Sequence, residues 1–347
     1  MAALGSVFPR RAGALLCALG GASLMAACVN EVPPQDADIP LNTQATSAPM
    51  PLPAGAEMEK PGAPVGPLAT DSGTVTGSLR PDHRPPQESI PRIVERGYLI
   101  AGVDQSQNLM SFLDPATGEL EGFEVDLVKE IARDIFGDPN RVDFRYLDST
   151  ENVRALNSGE VDIVVRTMSI TPQRQKEIYF SAPYLSARTR MLTLENSGIS
   201  RVSDLPGQTV CVADQSTALL RARLVAKRSS ILKVRNWSDC LVAIQQHQAD
   251  VIMSDDVILS GIAAQDPYLR MVGPTLTTEV YGIGIARAGN QEENRALVRQ
   301  VNATLERTQA DGTRFRLYSQ WLGKYQDRFD PPEVSYVSEE PAAHGIS

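Results

Sequence analysis

The chain has 347 residues, enough for two domains of ordinary size, and 42% of them are hydrophobic, so it can bury a substantial core. The formal net charge of -9 and the lack of a dense Lys and Arg run argue against a nucleic-acid partner, because phosphate binding requires a basic surface. Of the three histidines, only His247 falls among patterns typical of folded elements. We therefore expect neither a bound metal nor a cofactor.

The N-terminus carries an export pattern. Arg10 and Arg11 precede the apolar run AGALLCALGGASLMAA, which suits a signal-peptide core and is too short and too rich in small residues for a membrane span. Its end, LMAAC, resembles a bacterial lipoprotein cleavage box, although Met25 stands where Leu is usual. The resemblance implies a signal peptide over 1–27 and a lipid on Cys28. The alternative is an ordinary secretory signal with a chance cysteine.

The composition of residues 28–86 is typical of a tether. Half of the 24 prolines of the chain lie between Glu31 and Pro86, and no aromatic residue occurs between Arg11 and Arg96. A segment so poor in large apolar groups cannot offset the entropy cost of ordering. We expect it to be disordered and to hold the folded part away from a membrane.

The first folded unit begins near Ile90 and alternates strands with helices. SIPRIVERGYLIAGV predicts a short helix and a buried strand, and a hairpin turns at Asp114–Gly118. An amphipathic helix follows, with Phe123, Leu127, Ile131 and Ile135 on its apolar face. The strands RVDFRYL and VDIVV flank another helix. This β, α, β, α, β order favours a parallel sheet with helices on both faces.

A second unit repeats the pattern at reduced length. After the bridging strand RTRMLTLEN, three strands alternate with helices, and EVYGIGIAR can then cross back to the first unit. Two crossings imply an α/β fold of two lobes, with the second inserted in the first and a cleft between them. The expected boundaries are 87–189 with 285–330 for lobe 1, 190–284 for lobe 2, and a disordered tail over 331–347.

An unusual cation lies after the third strand of the first unit. Thr171 and Pro172 predict the N-cap and first residue of a helix, which places Arg174 in its first turn, where the helix dipole disfavours positive charge. A guanidinium beside unpaired amides at the carboxyl end of a buried strand predicts a receptor for a small carboxylate. The alternative is a surface ion pair with Glu177.

The positions of the four cysteines indicate different roles for them. If Cys17 leaves with the signal peptide and Cys28 carries lipid, Cys211 and Cys240 remain as a pair in an oxidising setting, and we expect a disulfide. Closing that loop would stabilise the fold by roughly 3 to 4 kcal/mol on the chain-entropy estimate. A cysteine nucleophile is disfavoured, because only His247 is available as its base.

From about Ile93 to Lys324 the chain resembles the bacterial extracellular solute-binding proteins of the polar amino-acid family, the binding subunits of ABC importers. The resemblance is carried by LEGFEVDLVKEIA, ALNSGEVDIVVRTMSITPQRQKEIYFSAPY, DLPGQTVCVADQST, VIMSDD and VYGIGI. Within the family it looks most like glutamine/glutamate-binding lipoproteins of mycobacteria and related actinobacteria. The resemblance implies a type II periplasmic-binding-protein-like fold, with a mixed, mainly parallel sheet in each lobe and two hinge strands.

The resemblance also implies a ligand site. In the family's S/T-I-T-x-x-R stretch the arginine grips the ligand α-carboxylate, with a nearby serine and backbone completing the grip, and an acid after the strand ADVIMS holds the amine. By motif, the implied ligand-binding residues are Arg174, Ser169, Thr167, Ser216, Thr217, Asp255, Asp104 and Phe112. Asp256 is the alternative amine partner, and either acid could instead cap the following helix.

The motifs depart from the family in places. Many members carry glycine where Thr167 stands and a basic residue where Ala213 stands. Arg166 follows the buried strand directly, so it could reach a distal carboxylate of the ligand and favour Glu or Asp over Gln. The alternative for Arg166 is an outward ion pair.

We therefore expect a monomeric, lipid-anchored receptor on the outer face of the cytoplasmic membrane that binds Glu, Asp, Asn or Gln between its lobes. Closure would occur about hinge strands near 189–194 and 279–285, and the closed form would be recognised by an ABC permease or a membrane sensor protein. The alternative is a dehydratase-like enzyme on the same scaffold acting on a small carboxylate. The cleft sequences offer acids and an arginine but no evident nucleophile constellation.

Overall fold

A computed structural model describes residues 50–65, 75–326 and 328–338. The expected signal peptide and Cys28 lie outside the described residues. Within the described ranges, no helix is both long enough and apolar enough to cross a membrane.

The first part of the chain contains one early strand and most of lobe 1. Its elements are β1 (Glu57–Glu59), α1 (Pro86–Ser89), α2 (Pro91–Arg96), β2 (Leu99–Val103), β3 (Ser106–Gln107), β4 (Ser111–Leu113), β5 (Leu120–Glu121), α3 (Phe123–Phe136), β6 (Val142–Tyr146), α4 (Asn152–Asn157), β7 (Ile163–Val164), α5 (Pro172–Glu177) and β8 (Ile178–Phe180).

The remaining elements form lobe 2 and the return to lobe 1. They are β9 (Leu185–Leu194), β10 (Thr209–Ala213), α6 (Thr217–Val225), β11 (Ser230–Val234), α7 (Trp237–Gln245), β12 (Val251–Asp255), α8 (Asp256–Ala263), β13 (Leu269–Tyr281), β14 (Gly284–Ala286), α9 (Gln291–Ala310) and α10 (Thr313–Trp321).

Lobe 1 is built on a five-stranded sheet with the order β6-β2-β7-β14-β8. The strands β6, β2 and β7 are parallel, as their alternation with helices predicts, and β14 is antiparallel to β7 and β8. The apolar face of α3 packs into the core, with Phe123, Leu127 and Ile131 fully buried. Burying side chains of this size contributes about 1.5 to 3 kcal/mol each.

Lobe 2 is built on a six-stranded sheet with the order β1-β11-β10-β12-β9-β13. Its centre is parallel, since β10 lies between β11 and β12, whereas β9 runs antiparallel to β12 and β13. The mixed two-lobed α/β fold is thus confirmed, with parallel pairing among β6, β2 and β7 in lobe 1 and among β11, β10 and β12 in lobe 2. The crossing strands enter each sheet antiparallel, which is why neither sheet is parallel throughout.

The two crossings between lobes lie side by side. The first spans 181–184 and the second 282–283, and they are joined by hydrogen bonds from Ser181 N to Ile283 O and from Tyr184 N to Tyr281 O, each 2.9 Å. The first crossing comes earlier than the predicted boundary at 189. LSARTRMLTL forms one continuous strand, β9, and all of it belongs to the lobe 2 sheet.

Part of the expected tether is ordered, which corrects the sequence prediction. β1 adds to the edge of the lobe 2 sheet opposite β11, and its Glu59 forms ion pairs with Arg223 and Lys233. Farther along, Ser78 and Leu79 are buried on lobe 1, where the Asn302 amide donates to Ser78 Oγ and Leu79 O. Backbone pairing and ion pairs hold these residues, so large apolar side chains are not required.

The expected disordered tail is likewise ordered in its first part. Ser78 N donates to Ser335 O and Val337 N donates to Ser78 O, each at 2.9 Å. Tyr336 Oη also donates to Glu306 on α9 at 2.7 Å. The ordered stretch 75–80 supplies the backbone hydrogen-bond partner of the tail. The polar sequence after Phe329 does not by itself predict this pairing.

A disulfide joins Cys211 of β10 to Cys240 of α7, with the Cα atoms 5.7 Å apart. The predicted pairing is therefore confirmed. The bond ties a central strand of lobe 2 to a helix packed on that sheet.

Candidate functional site

Polar groups from both lobes converge where the strands β7, β10 and β12 end. They enclose a small cavity of about 30 Å³, room for two or three water molecules. Lobe 1 contributes the loop after β7 and the start of α5, and lobe 2 contributes the start of α6. The lining includes Ser149, Asn152, Arg166, Thr167, Met168, Ser169, Arg174, Ala213, Gln215, Ser216, Thr217, Ala218, Trp237, Asp255 and Ile258.

Arg174 bridges the two lobes. Thr171 caps α5 by accepting from Arg174 N at 3.2 Å, which fixes the arginine in the first turn as the sequence predicts. The guanidinium donates to Ser169 O at 2.8 Å in lobe 1 and to Gln215 O at 3.0 Å in lobe 2. Burial lowers the pKa of Arg174. Its contacts are thus to the cleft, and the alternative ion pair with Glu177 is not formed.

Glu279, on β13, occupies the point where the lobes meet. Its Oε2 accepts hydrogen bonds from Ser169 Oγ of lobe 1 and, at 2.7 Å, from Thr217 Oγ1 of lobe 2. A carboxylate oxygen therefore already lies between the two hydroxyls that the sequence assigns to a ligand carboxylate. Sequence reasoning missed Glu279, although an acid two residues before Tyr281 in an otherwise apolar crossing strand was a usable signal.

Asp255 is a buried acid at the end of β12. It accepts hydrogen bonds from Thr189 Oγ1 at 2.9 Å and from Tyr281 Oη at 2.5 Å. Burial, with the negative charge of Glu279 as the second cause, raises the pKa of Asp255 to about 7. An ammonium group placed here would find an acceptor already oriented by two hydroxyls.

Asp256 has a different position, at the first residue of α8. Its Oδ1 accepts from Arg188 N and Val257 N, both at 3.0 Å, and burial raises its pKa. It does not line the cavity. Of the two acids that the sequence leaves open, only Asp255 faces the cleft.

Arg166 lines the cavity and forms a buried ion pair, so the alternative of an outward ion pair is wrong. Only 4% of its surface is exposed, and Nη2 donates to Asp104 Oδ2 at 2.6 Å while Nε donates to Leu147 O at 3.0 Å. The pair is inward rather than outward, and Asp104, itself 1% exposed, does not line the cavity. The positive charge that was expected to meet a distal carboxylate is already neutralised.

Thr167 adopts a backbone conformation that favours glycine, with φ of 44°. This explains why a glycine suits this position, and it makes the threonine depend on its neighbours. Thr167 N donates to Glu124 Oε1 at 2.6 Å, so this amide is not available to a ligand as expected. The Thr167 hydroxyl contacts the amide group of Gln107.

Glu124, at the start of α3, is a second buried acid near the site. Tyr184 Oη also donates to its Oε1, and its Oε2 has no hydrogen-bond partner among the described residues. Burial raises the pKa of Glu124 to about 7. Protonation of this carboxyl would relieve the cost of burying its charge.

Two further predicted residues, Ser216 and Phe112, take different positions. Ser216 lines the cavity, while its hydroxyl caps α6, accepting from Leu219 N at 3.1 Å and donating to Ala213 O at 2.6 Å. Phe112, on β4 of the small sheet formed by β3, β4 and β5, does not line the cavity. Trp237, at the start of α7, is the aromatic side chain that does.

Among the described residues, no group of three or more His, Cys, Asp and Glu side chains is arranged to hold a metal ion. The polar groups of the cleft are donor hydroxyls and guanidinium groups, and acceptor carboxylates. This set suits a small zwitterion rather than a cation.

Two lobes of type II periplasmic-binding-protein architecture, joined by two crossings over a polar cleft, define a solute-binding protein. The family comparison agrees, because residues 99–324 match the model of the bacterial extracellular solute-binding proteins, family 3. The chain belongs to this family. Members of the family are extracellular proteins, and those similar to this chain include binding proteins of ABC transporters.

Three curated relatives are binding proteins for glutamine or glutamate. The chain is 37% identical over 200 residues to the glutamine-binding protein of Geobacillus stearothermophilus, covering 57% of this chain and 76% of the relative. It is 30% identical over 237 residues to the ABC transporter glutamine-binding protein of Bacillus subtilis, covering 68% and 85%. It is 29% identical over 261 residues to the glutamate-binding protein of the actinobacterium Corynebacterium efficiens, covering 71% and 87%.

The solved structures include an ancestral arginine-binding protein bound to glutamine. It superposes with a TM-score of 0.60 at 32% identity, covering 66% of this chain and 99% of that one. The likeness supports the two-lobed architecture across the family-matched region.

Proposed function

We propose that this protein is an extracytoplasmic receptor that binds an acidic or amide amino acid between its lobes and delivers it to an ABC importer. The observation that carries the proposal is the carboxylate of Glu279, held by hydroxyls from both lobes beside Arg174. The α-carboxylate of an amino acid would take this place, with Ser169, Thr217 and Arg174 as its partners. The relatives named as glutamine- and glutamate-binding proteins support the ligand class.

The amine would bind Asp255. Its carboxylate is oriented by Thr189 and Tyr281, and its charge is disfavoured in the absence of a cation. A ligand ammonium would supply that cation, because an opposite charge nearby favours the ionised acid. The carboxylate and ammonium partners thus come from both lobes, which is what a ligand must contact to favour the closed form.

Among the four candidate amino acids, the charge of the cleft favours an amide side chain. Arg166 is neutralised by Asp104, and Arg174, the remaining cation of the cleft, already has the charge of Glu279 nearby and would take the ligand α-carboxylate. A second ligand carboxylate would therefore face net negative charge, whereas the amide of Gln or Asn would not. We propose Gln as the preferred ligand, which revises the preference for Glu or Asp that a free Arg166 would give.

Binding must displace Glu279 and open the lobes. A cavity of about 30 Å³ is far too small for an amino acid while Glu279 lies between Ser169 and Thr217. The ligand would enter an opened cleft and re-form the bridge with its own carboxylate. A membrane partner would then bind the closed form. This holds whether the partner is an ABC permease or a membrane sensor protein.

The site is tested by isothermal titration calorimetry of glutamine into the Arg174→Ala and Arg174→Lys variants. Losing a hydrogen-bonded charge costs about 2 kcal/mol, so the alanine variant should bind at least about 30-fold more weakly. The lysine variant should recover only part of the affinity, since Lys lacks the planar fork. Arg154→Ala, an exposed ion-paired arginine of lobe 1, is the matched control. Unchanged binding in Arg174→Ala would refute the site.

We also propose that Cys28 carries a lipid that holds the receptor on the outer face of the membrane. The proposal rests on LMAAC after the apolar run. Metabolic labelling with palmitate should mark the wild type and leave Cys28→Ser unlabelled. Equal labelling of both would rule out this anchor.

A further inference from the structure

A second cavity lies on lobe 1, against the first crossing and away from the cleft. Its volume is about 420 Å³, and none of its lining residues lines the cleft cavity. The walls come from the end of α9, the start of α10, residues 182–183 of the crossing, and the ordered stretches near residues 80 and 334–336. It has the size of a small-molecule site.

Arg314, on α10, is a buried cation in the wall of this cavity. Only 3% of its surface is exposed. Nε and Nη2 donate to Gln309 Oε1 at 3.0 and 2.6 Å, and Nη1 is 3.5 Å from Tyr184 O. All of these acceptors are neutral, and Arg314 forms no ion pair with any described residue. Burial lowers the pKa of Arg314 to about 10.

A buried charge without a counter-ion is costly. Removing a single ion from water costs several kcal/mol even after the protein relaxes, and hydrogen bonds to neutral groups offset only part of this. The other buried cation of lobe 1 described above, Arg166, is paired with Asp104 at 2.6 Å. Arg314 therefore differs from it in lacking an anion, and it lines a cavity large enough to admit one.

The remaining charges around the cavity define which anion fits. The Arg80 guanidinium lies 4.8 Å from the centre of the Tyr336 ring and lines the same space. Glu306, whose carboxylate accepts from Tyr336 Oη at 2.7 Å, is the acid in the lining. Two arginines and one glutamate leave a single positive charge in excess, which matches a monoanion and disfavours a dianion.

The other walls are apolar, with Ala182, Pro183, Leu305 and Val334 among them. We propose that this cavity binds a small organic monocarboxylate, with its carboxylate on Arg314 and Arg80 and its apolar body against these residues. The carboxylate would replace Gln309 Oε1 on the Nε/Nη2 edge of Arg314, because a guanidinium binds a bidentate carboxylate more strongly than a neutral amide oxygen. The site is separate from the amino-acid cleft and does not depend on the ligand proposed there.

Benzoate and inorganic phosphate are the probes, titrated calorimetrically into the purified protein. Benzoate should bind saturably, phosphate more weakly, and Arg314→Gln should reduce benzoate affinity at least tenfold. Arg316→Gln, an exposed arginine on the same helix, is the matched control, and Arg174→Ala reports any binding in the cleft; both should bind benzoate like the wild type. Absent benzoate binding, binding unaffected by Arg314→Gln, or binding lost in Arg174→Ala would overturn the proposal.

A crystal soak with 4-bromobenzoate gives a test that needs no variant to fold. Anomalous density for bromine in the cavity beside Leu305 and Val334, with the carboxylate on Arg314, is the expected result. Bromine found only in the interlobe cleft or only on the surface would refute the site.

Discussion

The hydroxyl oxygens of Ser169 and Thr217 lie 3.4 Å apart although the two residues belong to different lobes. Glu279 Oε2 accepts a hydrogen bond from each. Lobe closure in this protein therefore brings two donors onto one carboxylate oxygen. The interlobe bridge is a carboxylate site, and the side chain that fills it comes from the second crossing strand.

Glu279→Gln should shift the ligand preference toward glutamate. The substitution keeps the size of the side chain and removes one negative charge beside the cleft, so the ratio of glutamate to glutamine affinity should rise about tenfold. Competition titrations with the two amino acids measure this ratio. Glu292→Gln, an exposed acid on α9, is the control and should leave it unchanged; an unaltered ratio in Glu279→Gln would show that Glu279 does not set the charge preference.

Amino-acid affinity should rise with pH around neutrality. The pKa of Asp255 is raised to about 7, so at lower pH the acid is protonated and cannot hold an ammonium as an ion pair. Binding near pH 6.5 should therefore release a proton, which is measured by calorimetry in two buffers of different ionisation enthalpy. Asp255→Asn should bind weakly and without this release. Glu124 also has a pKa raised to about 7 and is the other candidate source of the proton. Ligand binding to Glu124→Gln should still release a proton, which would assign the release to Asp255.

The same acid affects the stability of the fold. Since the folded-state pKa of Asp255 lies above its ordinary value of 3.8, the native state holds a proton that the unfolded state has lost. The free energy of unfolding should thus decline as pH rises from about 4 to 7. Urea titrations across this range should show a shallower decline for Asp255→Asn, and identical slopes would mean that Asp255 is ionised in the native state throughout.

Gly261→Ala should hold the lobes apart. A Cβ at Gly261 on α8 would lie 2.2 Å from Asn108 O of lobe 1, and this contact involves backbone that cannot move aside within a lobe. Glutamine affinity should fall at least tenfold, and small-angle X-ray scattering should no longer show compaction on ligand addition. Asn108→Ala, which removes the 3.2 Å hydrogen bond to Gly261 O and the local one from Leu109 N to Asn108 Oδ1 but adds no bulk at the contact, should compact normally. Normal compaction in Gly261→Ala would mean that closure does not use this contact.

The sequence predicted those features that depend on local pattern. The strand and helix alternation, the Thr171 cap and the inward face of α3 each follow from periodicity or from capping chemistry within a few residues. Arg174 was found because a cation in the first turn of a helix contradicts the helix dipole. The disulfide followed from a count of cysteines in an exported chain.

Features set by distant partners were not predictable in the same way. The sequence does not determine the role of Arg166, because its partner Asp104 is 62 residues away and the parallel pairing of β2 with β7 brings the two together. Glu279 reaches Ser169 across 110 residues of chain. β1 pairs with an edge strand far along the chain, and its short, charged sequence carries no apolar period that would have indicated a strand.

The most direct test is calorimetric titration of the purified protein, stripped of carried ligand by unfolding and refolding, with Gln, Glu, Asn and Asp. The proposed site predicts saturable binding, with Gln bound more tightly than Glu, since the charge of Arg166 is taken by Asp104 and Glu279 adds a negative charge. Glu bound more tightly than Gln would contradict the charge assignment of the cleft. Binding of none of the four would contradict the proposed ligand class.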